Sequence, residues 1–205
     1  MHPITRFAAL AVLILLSGCA ATQKISDENR KKINVVKVNS DVKKAPVMYY
    51  LGPGAGPLFA LGAVGGAIAA ASSVEPGKAL HDFAEKNGAF IEKIALQEIE
   101  FALRASGKLK LSDSGADAVI NVLVFQFGFS IPHLLSSNLV PVVGIRCEMV
   151  NAAGEIIWSA TDRVLTLSNL VQPMSLEEMR DNPKRIEDAW RKASQQIAAN
   201  IMKDL

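Results

Sequence analysis

The chain has 205 residues, of which 50% are hydrophobic and 20% charged, so it can bury the core of one domain. Its 22 Lys and Arg residues against 20 Asp and Glu give a formal net charge of +2. This small excess argues against nucleic acid as a partner, because such proteins neutralise many phosphates with basic residues. Two cysteines and three histidines exclude a disulfide framework and a cysteine-rich zinc site, and we expect no metal and no cofactor.

Residues 1–18 have the organisation of a secretory signal peptide. A short basic start ends at Arg6, Phe7 to Leu16 is an apolar run, and two small residues precede Cys19. The apolar run is about half of the roughly 20 residues that a membrane-spanning helix needs. The sequence therefore predicts a leader that is removed from the mature chain.

The four residues Leu16-Ser17-Gly18-Cys19 resemble the bacterial lipobox at the point where the apolar run ends. The resemblance implies that Cys19 carries the lipid, with acyl chains such as palmitate, and becomes the new N-terminus. The alternative is an ordinary secretory peptide with an incidental cysteine. Ala20 in place of an aspartate resembles the sorting pattern of outer-membrane lipoproteins, which implies a lipid-anchored protein facing the periplasm.

Residues 19–32 are polar and charged and show no apolar period, so they predict a lipidated N-terminus and a tether. A single periplasmic domain is expected over 33–205. Ile33 to Val38 predicts a short strand, and Pro46 to Leu51 predicts a second one.

A Gly/Ala-rich segment over residues 52–71 lies inside a longer stretch without charged residues. Pro53 and Pro57 restrict a helix to residues 58–71, which rise about 21 Å and fall short of the roughly 30 Å hydrocarbon core. Gly62 and Gly66 have the four-residue spacing that lets two helix backbones approach closely. The segment would contact its own domain, a partner chain or the membrane, and we predict Gly62 and Gly66 as interaction residues.

Residues 75–106 predict a long helical region with an interruption at Asn87-Gly88 and a stop at Gly107. Two apolar stripes on nearly opposite sides predict a helix that is buried on both sides. The first stripe contains Phe83, Phe90, Ile94 and Phe101, and the second contains Leu96, Ile99 and Leu103.

Ala118 to Phe129 predicts a central strand because both of its faces are apolar. One predicted face has Val119, Leu123, Phe125, Phe127 and Phe129, and the other has Ile120, Val122 and Val124. Residues 142–150 and 155–167 then predict an antiparallel hairpin.

The C-terminal part predicts a short helix and a long one. Ser175 and Glu178 form a capping box, and Asn182-Pro183 has the pattern of a helix start. The order of elements predicts an α+β fold, with a long central helix and a C-terminal helix on one face of a largely antiparallel sheet. The stripe of the last helix contains Ile186, Trp190, Ala193, Ile197 and Ile201.

The mature sequence carries no nucleophile elbow, phosphate loop, zinc motif or dinucleotide fingerprint. His81 and Glu85 are four residues apart, but no third metal ligand is near in sequence, and a solvated polar helix face explains them better. His133 is interpreted as a loop residue and Cys147 as a small buried hydrophobe rather than a catalytic pair. We expect a protein without enzymatic activity.

Two short motifs carry a resemblance to a group of proteins. Ala116-Asp117-Ala118 leads into a strand, and Gly154 to Trp158 lies at a hairpin before an amphipathic helix. Over Ala89 to Leu205 this arrangement resembles small bacterial envelope lipoproteins, with an α+β domain similar to those of the curli-secretion and penicillin-binding-protein-activator lipoproteins. The resemblance implies a fold and a compartment.

These observations lead to two functional hypotheses. The first is a lipid-anchored accessory or assembly protein of the cell envelope, which binds a protein partner or a second copy of itself. The alternative is a periplasmic carrier of an apolar ligand or lipid, held between the sheet and a helix. The predicted lining of that cavity is Phe101, Phe125, Phe127 and Phe129.

Overall fold

The computed structural model describes residues 22–53, 74–133, 135–165 and 171–205, which contain a seven-stranded sheet and five helices. The strands are β1 Val35–Val38, β2 Lys43–Lys44, β3 Tyr49–Leu51, β4 Lys110–Leu111, β5 Ala118–Ser130, β6 Val140–Asn151 and β7 Ile156–Val164. The helices are α1 Asp27–Lys32, α2 Val74–Lys86, α3 Ile91–Ser106, α4 Leu176–Asp181 and α5 Lys184–Lys203.

The sheet is built around β5. Its main order is β4-β1-β5-β6-β7, and β2 and β3 also pair with β5 further along its length. The three long strands β5, β6 and β7 are antiparallel, which confirms the predicted hairpin. The short strands β1, β2 and β3 run parallel to β5. The predicted α+β class and the central position of β5 are therefore confirmed.

A β-bulge at Phe125 changes which side chains of β5 face the helices. Val124 is paired with Ile145 and Gln126 with Gly144, so Phe125 is left without a partner in the ladder. The extra residue shifts the alternation of side chains by one position. The predicted faces are therefore wrong beyond the bulge, because the buried rings of Phe127 and Phe129 join Ile120, Val122 and Val124 on the helix side.

Helices α3 and α5 pack on one face of the sheet, and the whole predicted stripe of α5 is buried. The helix starts at Lys184, one residue later than Asn182-Pro183 indicates, and Pro183 is its N-cap. The capping box of α4 is confirmed, since the Ser175 hydroxyl accepts from the Glu178 amide and the Glu178 carboxylate accepts from the Ser175 amide.

The predicted break between α2 and α3 is confirmed, with Gly88 at φ 84°, and α3 ends at Gly107. The prediction of burial on both sides is wrong for Phe101, which is 68% exposed. Ile94 lies two turns earlier on the same side of α3 and is buried. The two residues differ because small side chains leave a gap between α3 and α5 beside Phe101.

The structure differs from the predicted tether over residues 22–32. Helix α1 occupies residues 27–32, and the Ser26 hydroxyl caps it by accepting from the Asn29 amide at 3.2 Å. The side chains of Ile25 and Ile33 belong to the hydrophobic core. Two isolated apolar residues make no period, and therefore the sequence pattern does not reveal that this segment packs on the domain.

The C-terminal end of α5 is held by side chains from distant parts of the chain. Trp158 is fully buried, and its Nε1 donates to the Asp204 carbonyl at 3.1 Å. Lys108 Nζ donates to the Met202 carbonyl at 2.9 Å, and Arg30 Nη2 donates to the Leu205 oxygen at 2.8 Å. Trp158 thus attaches the sheet to the end of the last helix.

The aspartate of the same motif joins β1 to the start of β5. Asp117 Oδ2 accepts hydrogen bonds from the backbone amides of Asn34 and Val35, both at 2.9 Å. These two hydrogen bonds lower the pKa of the Asp117 carboxyl below its ordinary value. The motif residue therefore has a structural role in strand pairing.

Replacing Asp117 with alanine is expected to lower the unfolding temperature at pH 7 by a few degrees, because two amides lose a charged acceptor. Since the carboxyl pKa is lowered in the folded state, its stabilisation is present above the ordinary aspartate pKa of about 3.9 and is lost on acidification. Thermal unfolding of wild type and Asp117→Ala at pH 7 and pH 3 should thus show a difference that shrinks at pH 3. The exposed Asp113, changed to alanine, is the control, and a pH-independent difference would contradict this account.

Candidate functional site

The residues first predicted to act in anchoring and interaction lie outside the described residues. These are the leader 1–18, the lipidation site Cys19, and Gly62 and Gly66; of the segment 52–71 only Gly52 and Pro53 are described. The described domain has surface features of its own that could bind a partner or a ligand.

A groove of about 630 Å³ runs between α3 and α5. Three alanines of its lining, Ala102, Ala105 and Ala199, keep side chains short where the two helices face each other, and Phe101 belongs to the same lining. The helices run in the same direction, so their C-terminal ends lie together at one end of the groove. The lining residues are Glu98, Phe101, Ala102, Ala105, Ser106, Lys108, Gln195, Ala199, Met202 and Lys203.

Charged contacts fix the two ends of this groove. At one end Arg191 Nη1 contacts the buried carboxylate of Glu98 at 2.7 Å, and Nη2 contacts Glu187 at 2.8 Å. At the other end the Lys108 ammonium donates to the carbonyls of Met202 and Lys203. Polar contacts thus join the two helices at both ends of the groove, while the part between them stays open.

His81 and Glu85 belong to an ion-pair cluster instead of a solvated helix face. Lys44 Nζ lies 2.7 Å from Glu85 Oε1 and 3.1 Å from Glu92 Oε2, and the hydrogen bond from Lys44 is the main cause that lowers the pKa of Glu85. The mostly buried His81 ring packs edge-on against Phe127, with Nε2 at 3.1 Å from Glu85 Oε1 but outside hydrogen-bond geometry. The solvated-face interpretation is therefore wrong for His81.

The cluster links β2 to helices α2 and α3, which explains its residues without a ligand. Within the described ranges there is no group of three or more His, Cys, Asp or Glu side chains that would hold a metal ion. The same ranges contain no helix that is long and apolar enough to cross a membrane.

Cys147 and His133 lie in different environments. The Cys147 thiol is fully buried on the helix-facing side of β6, and burial raises its pKa to about 12, so it stays protonated and unreactive at neutral pH. His133 is exposed in the loop that follows β5. The interpretation of Cys147 as a small buried hydrophobe is confirmed.

The four phenylalanines predicted to line an apolar cavity do not come together. Phe127 and Phe129 are fully buried against Trp190, with ring centroids 5.8 and 5.7 Å from the indole. Phe125 lies on the opposite face of the sheet over Gly144, where any side chain would meet the ring. Phe101 lies on the outer side of α3, so this predicted lining is wrong.

The face of the sheet away from the helices is partly exposed and carries paired charges. Arg146 and Glu148 are in contact at 2.6 Å, and the amides of Asn39 and Asn121 are joined by a hydrogen bond of 3.0 Å. A hollow of about 290 Å³ lies among these side chains. Most of its charged and amide groups are paired with one another, although Arg146 Nε is buried without a hydrogen-bond partner. The groove beside Phe101 is about twice as large and is the stronger candidate for binding.

Sequence reasoning missed the groove because it depends on which helix faces which. Ala102 and Ala105 alternate with larger residues in α3, and Ala199 lies in α5. Such alanines do not by themselves indicate whether two helices pack closely or leave a gap between them. Only the pairing of α3 with α5 turns these separate alanines into one surface.

No family model matches this chain, and no curated protein matches it either. Among solved structures it is similar to a PelC dodecamer from Paraburkholderia phytofirmans, with 14% identity, 92% of this chain and 98% of that chain covered, and a TM-score of 0.43. A DUF330 protein from Xanthomonas campestris has 14% identity, with 53% and 57% of the two chains covered and a TM-score of 0.39. A lipoprotein from Neisseria meningitidis has 17% identity, with 64% and 81% covered and a TM-score of 0.27. Likenesses this weak assign neither a function nor an assembly to the chain.

Proposed function

We propose that this protein is a lipid-anchored accessory or assembly protein of the bacterial outer membrane, which faces the periplasm and acts by binding another protein. It would have no enzymatic activity. The lipobox-like sequence that ends at Cys19 supports the anchor. The engagement of Cys147, His81 and Glu85 in core packing and ion pairing supports a role without catalysis.

The observation that carries the binding role is the exposed ring of Phe101 beside an apolar groove. A phenylalanine that is 68% exposed next to a hollow of about 630 Å³ leaves apolar area in contact with water, and such patches on folded domains mark interaction sites. A groove between two helices accommodates apolar side chains of a partner, as in complexes where an amphipathic helix binds in a hydrophobic groove. Gly62 and Gly66 would add a second close-approach surface.

A photoreactive amino acid at position 101 is expected to form crosslinks to another protein in cells, because the partner's side chains would cover Phe101. The same amino acid at Leu123, which is 38% exposed on the opposite face of the sheet, is the matched control and should give few adducts. Mass spectrometry of the adducts identifies the partner. Adducts at position 123 and none at position 101 would overturn the groove as the binding site.

The size of the groove also favours the second candidate function, a carrier of an apolar ligand. Ligand sites commonly have volumes of about 300–1,000 Å³, and the groove falls in this range. A lipid that copurifies with the wild-type protein and is lost from Ala102→Trp, which would fill the groove, would support the carrier. Protein adducts at position 101 together with a lipid-free wild-type protein would support the accessory role.

Cys19→Ser is expected to abolish incorporation of labelled palmitate in bacterial cells and to move the protein from the membrane fraction into the soluble periplasmic fraction. The reason is that two or more acyl chains hold a protein firmly in a bilayer, and the variant has none. Cys147→Ser is the matched control, because it removes the other cysteine and should leave labelling intact. Unchanged labelling of Cys19→Ser would contradict the lipidation site.

A further inference from the structure

The groove between α3 and α5 is long enough for a short helix. Its lining extends from Glu98 to Ser106 on α3 and from Gln195 to Lys203 on α5. At a rise of about 1.5 Å per residue, each of these stretches is about 12 Å long. A helical segment of about eight residues, or roughly two turns, has the same length.

The walls of the groove offer a partner side chains rather than backbone groups. They belong to two helices, and the backbone amides and carbonyls inside a helix bond to one another. An extended partner segment would bury its own amides and carbonyls there without hydrogen bonds, which costs free energy. A helix satisfies its own backbone groups, so a helical segment suits this groove better than a strand.

The apolar part of the lining matches one face of an amphipathic helix. Phe101 is 68% exposed, and the short side chains of Ala102, Ala105 and Ala199 leave space beside it. Apolar residues of an amphipathic helix recur every three or four positions. Over about two turns they supply roughly three or four side chains, which would cover the Phe101 ring and fill the space over the alanines.

Two ammonium groups at one end of the lining have no acidic partner among the described residues. Lys108 donates to backbone carbonyls of α5, and Lys203 Nζ donates to the side-chain oxygen of Asn200 at 2.8 Å. The carboxylate of the lining, Glu98, lies at the other end and is paired with Arg191. We call the end with the two lysines the lysine end, and an acidic residue of a partner would complement its charge.

The direction of a bound helix follows from the directions of α3 and α5. Both helices end at the lysine end, where their last carbonyls carry a partial negative charge. The first turn of a helix carries a partial positive charge and favours acidic side chains. A partner helix that runs antiparallel to α3 and α5 therefore places its positive end and a first-turn acid at the lysine end.

We propose that the occupant of this groove is an amphipathic helix of another protein, which runs antiparallel to α3 and α5 and places an acidic residue of its first turn beside Lys203. This inference rests on the proposed function, in which the protein binds a partner at Phe101. The apolar face of that helix would lie against Phe101 and the alanines, and its carboxylate would contact the Lys203 ammonium group.

The first test measures the yield of protein adducts in cells from the full chain with the photoreactive amino acid at position 101. Lys203→Glu is expected to lower this yield severalfold because it replaces an attraction by a repulsion, Lys203→Gln should give an intermediate yield, and Lys203→Arg should keep the yield. Lys192→Glu is the matched control, since it makes the same charge change at an exposed position of α5 outside the lining. Circular dichroism of each purified variant reports whether it is folded.

Each outcome of this test separates the partner's chemistry from the binding role. Equal yields in the unsubstituted chain, Lys203→Glu and Lys192→Glu would overturn the acidic partner and leave protein binding in place. The absence of protein adducts at position 101 in the unsubstituted chain, or adducts to lipid alone, would contradict the proposed function and the helix together. Once the partner is identified, changing its acidic residue to lysine should restore the yield in Lys203→Glu.

Photoreactive amino acids at positions 195 and 199 test the conformation and direction of the partner segment. Gln195 and Ala199 are exposed in the lining about 6 Å apart along α5, with Ala199 nearer the lysine end. The partner residue that is crosslinked from position 199 should precede the one crosslinked from position 195 by about three or four residues. A spacing of about two residues would indicate an extended segment and overturn the helix, and the reverse order would overturn the antiparallel direction.

Discussion

Strand β5 is the element on which the rest of the domain depends. Four strands pair with it directly, three short ones along one edge and β6 along the other. Its backbone groups are thereby satisfied on both edges, as a buried strand requires. The bulge at Phe125 then decides which rings enter the core, because it places Phe127 and Phe129 under Trp190. Without the bulge these two rings would point to the exposed face.

Residues near the N-terminus and the C-terminus of the described chain are attached to the domain at one place, beside the end of α5. Gln23 pairs with Ser159 of β7, Arg30 bonds to Leu205, Trp158 bonds to Asp204, and Lys108 bonds to Met202. One end of the groove between α3 and α5 is at this position too, since Met202 and Lys203 line it. A protein that occupies the groove would therefore contact the domain beside the attachment of its N-terminal segment.

Patterns that depend on neighbouring residues predicted the structure well. The hairpin of β6 and β7, the stripe of α5, the capping box of α4 and the break at Asn87-Gly88 rest on local signals, and the structure confirms each of them. Features that depend on contacts between residues far apart in the sequence were not predicted. Phe125 gives no sign in the sequence that it is bulged, and nothing near Gln23 or Ile25 indicates that β7 and the core receive them.

The candidate site also depends on contacts that the sequence alone does not predict. The exposure of Phe101 could not be predicted from α3 alone, because its position on the helix matches that of the buried Ile94. It depends on the gap between α3 and α5, whose alanines Ala102, Ala105 and Ala199 come together only in the folded domain. Asp117 and Trp158 were recognised as motif residues, and the structure adds that their roles are to join β1 to β5 and to anchor the end of α5.

Residues 23–25 pack on the folded domain, since Gln23 pairs with Ser159 of β7 and Ile25 is buried in the core. Residue-resolved amide hydrogen exchange of the Cys19→Ser chain would test this arrangement. We expect the amides of Gln23 and Ser159, which bond to each other's carbonyls, to exchange far more slowly than unstructured amides. Exchange of both amides at unprotected rates, while β6 remains protected, would contradict the claim and return residues 22–26 to a flexible tether.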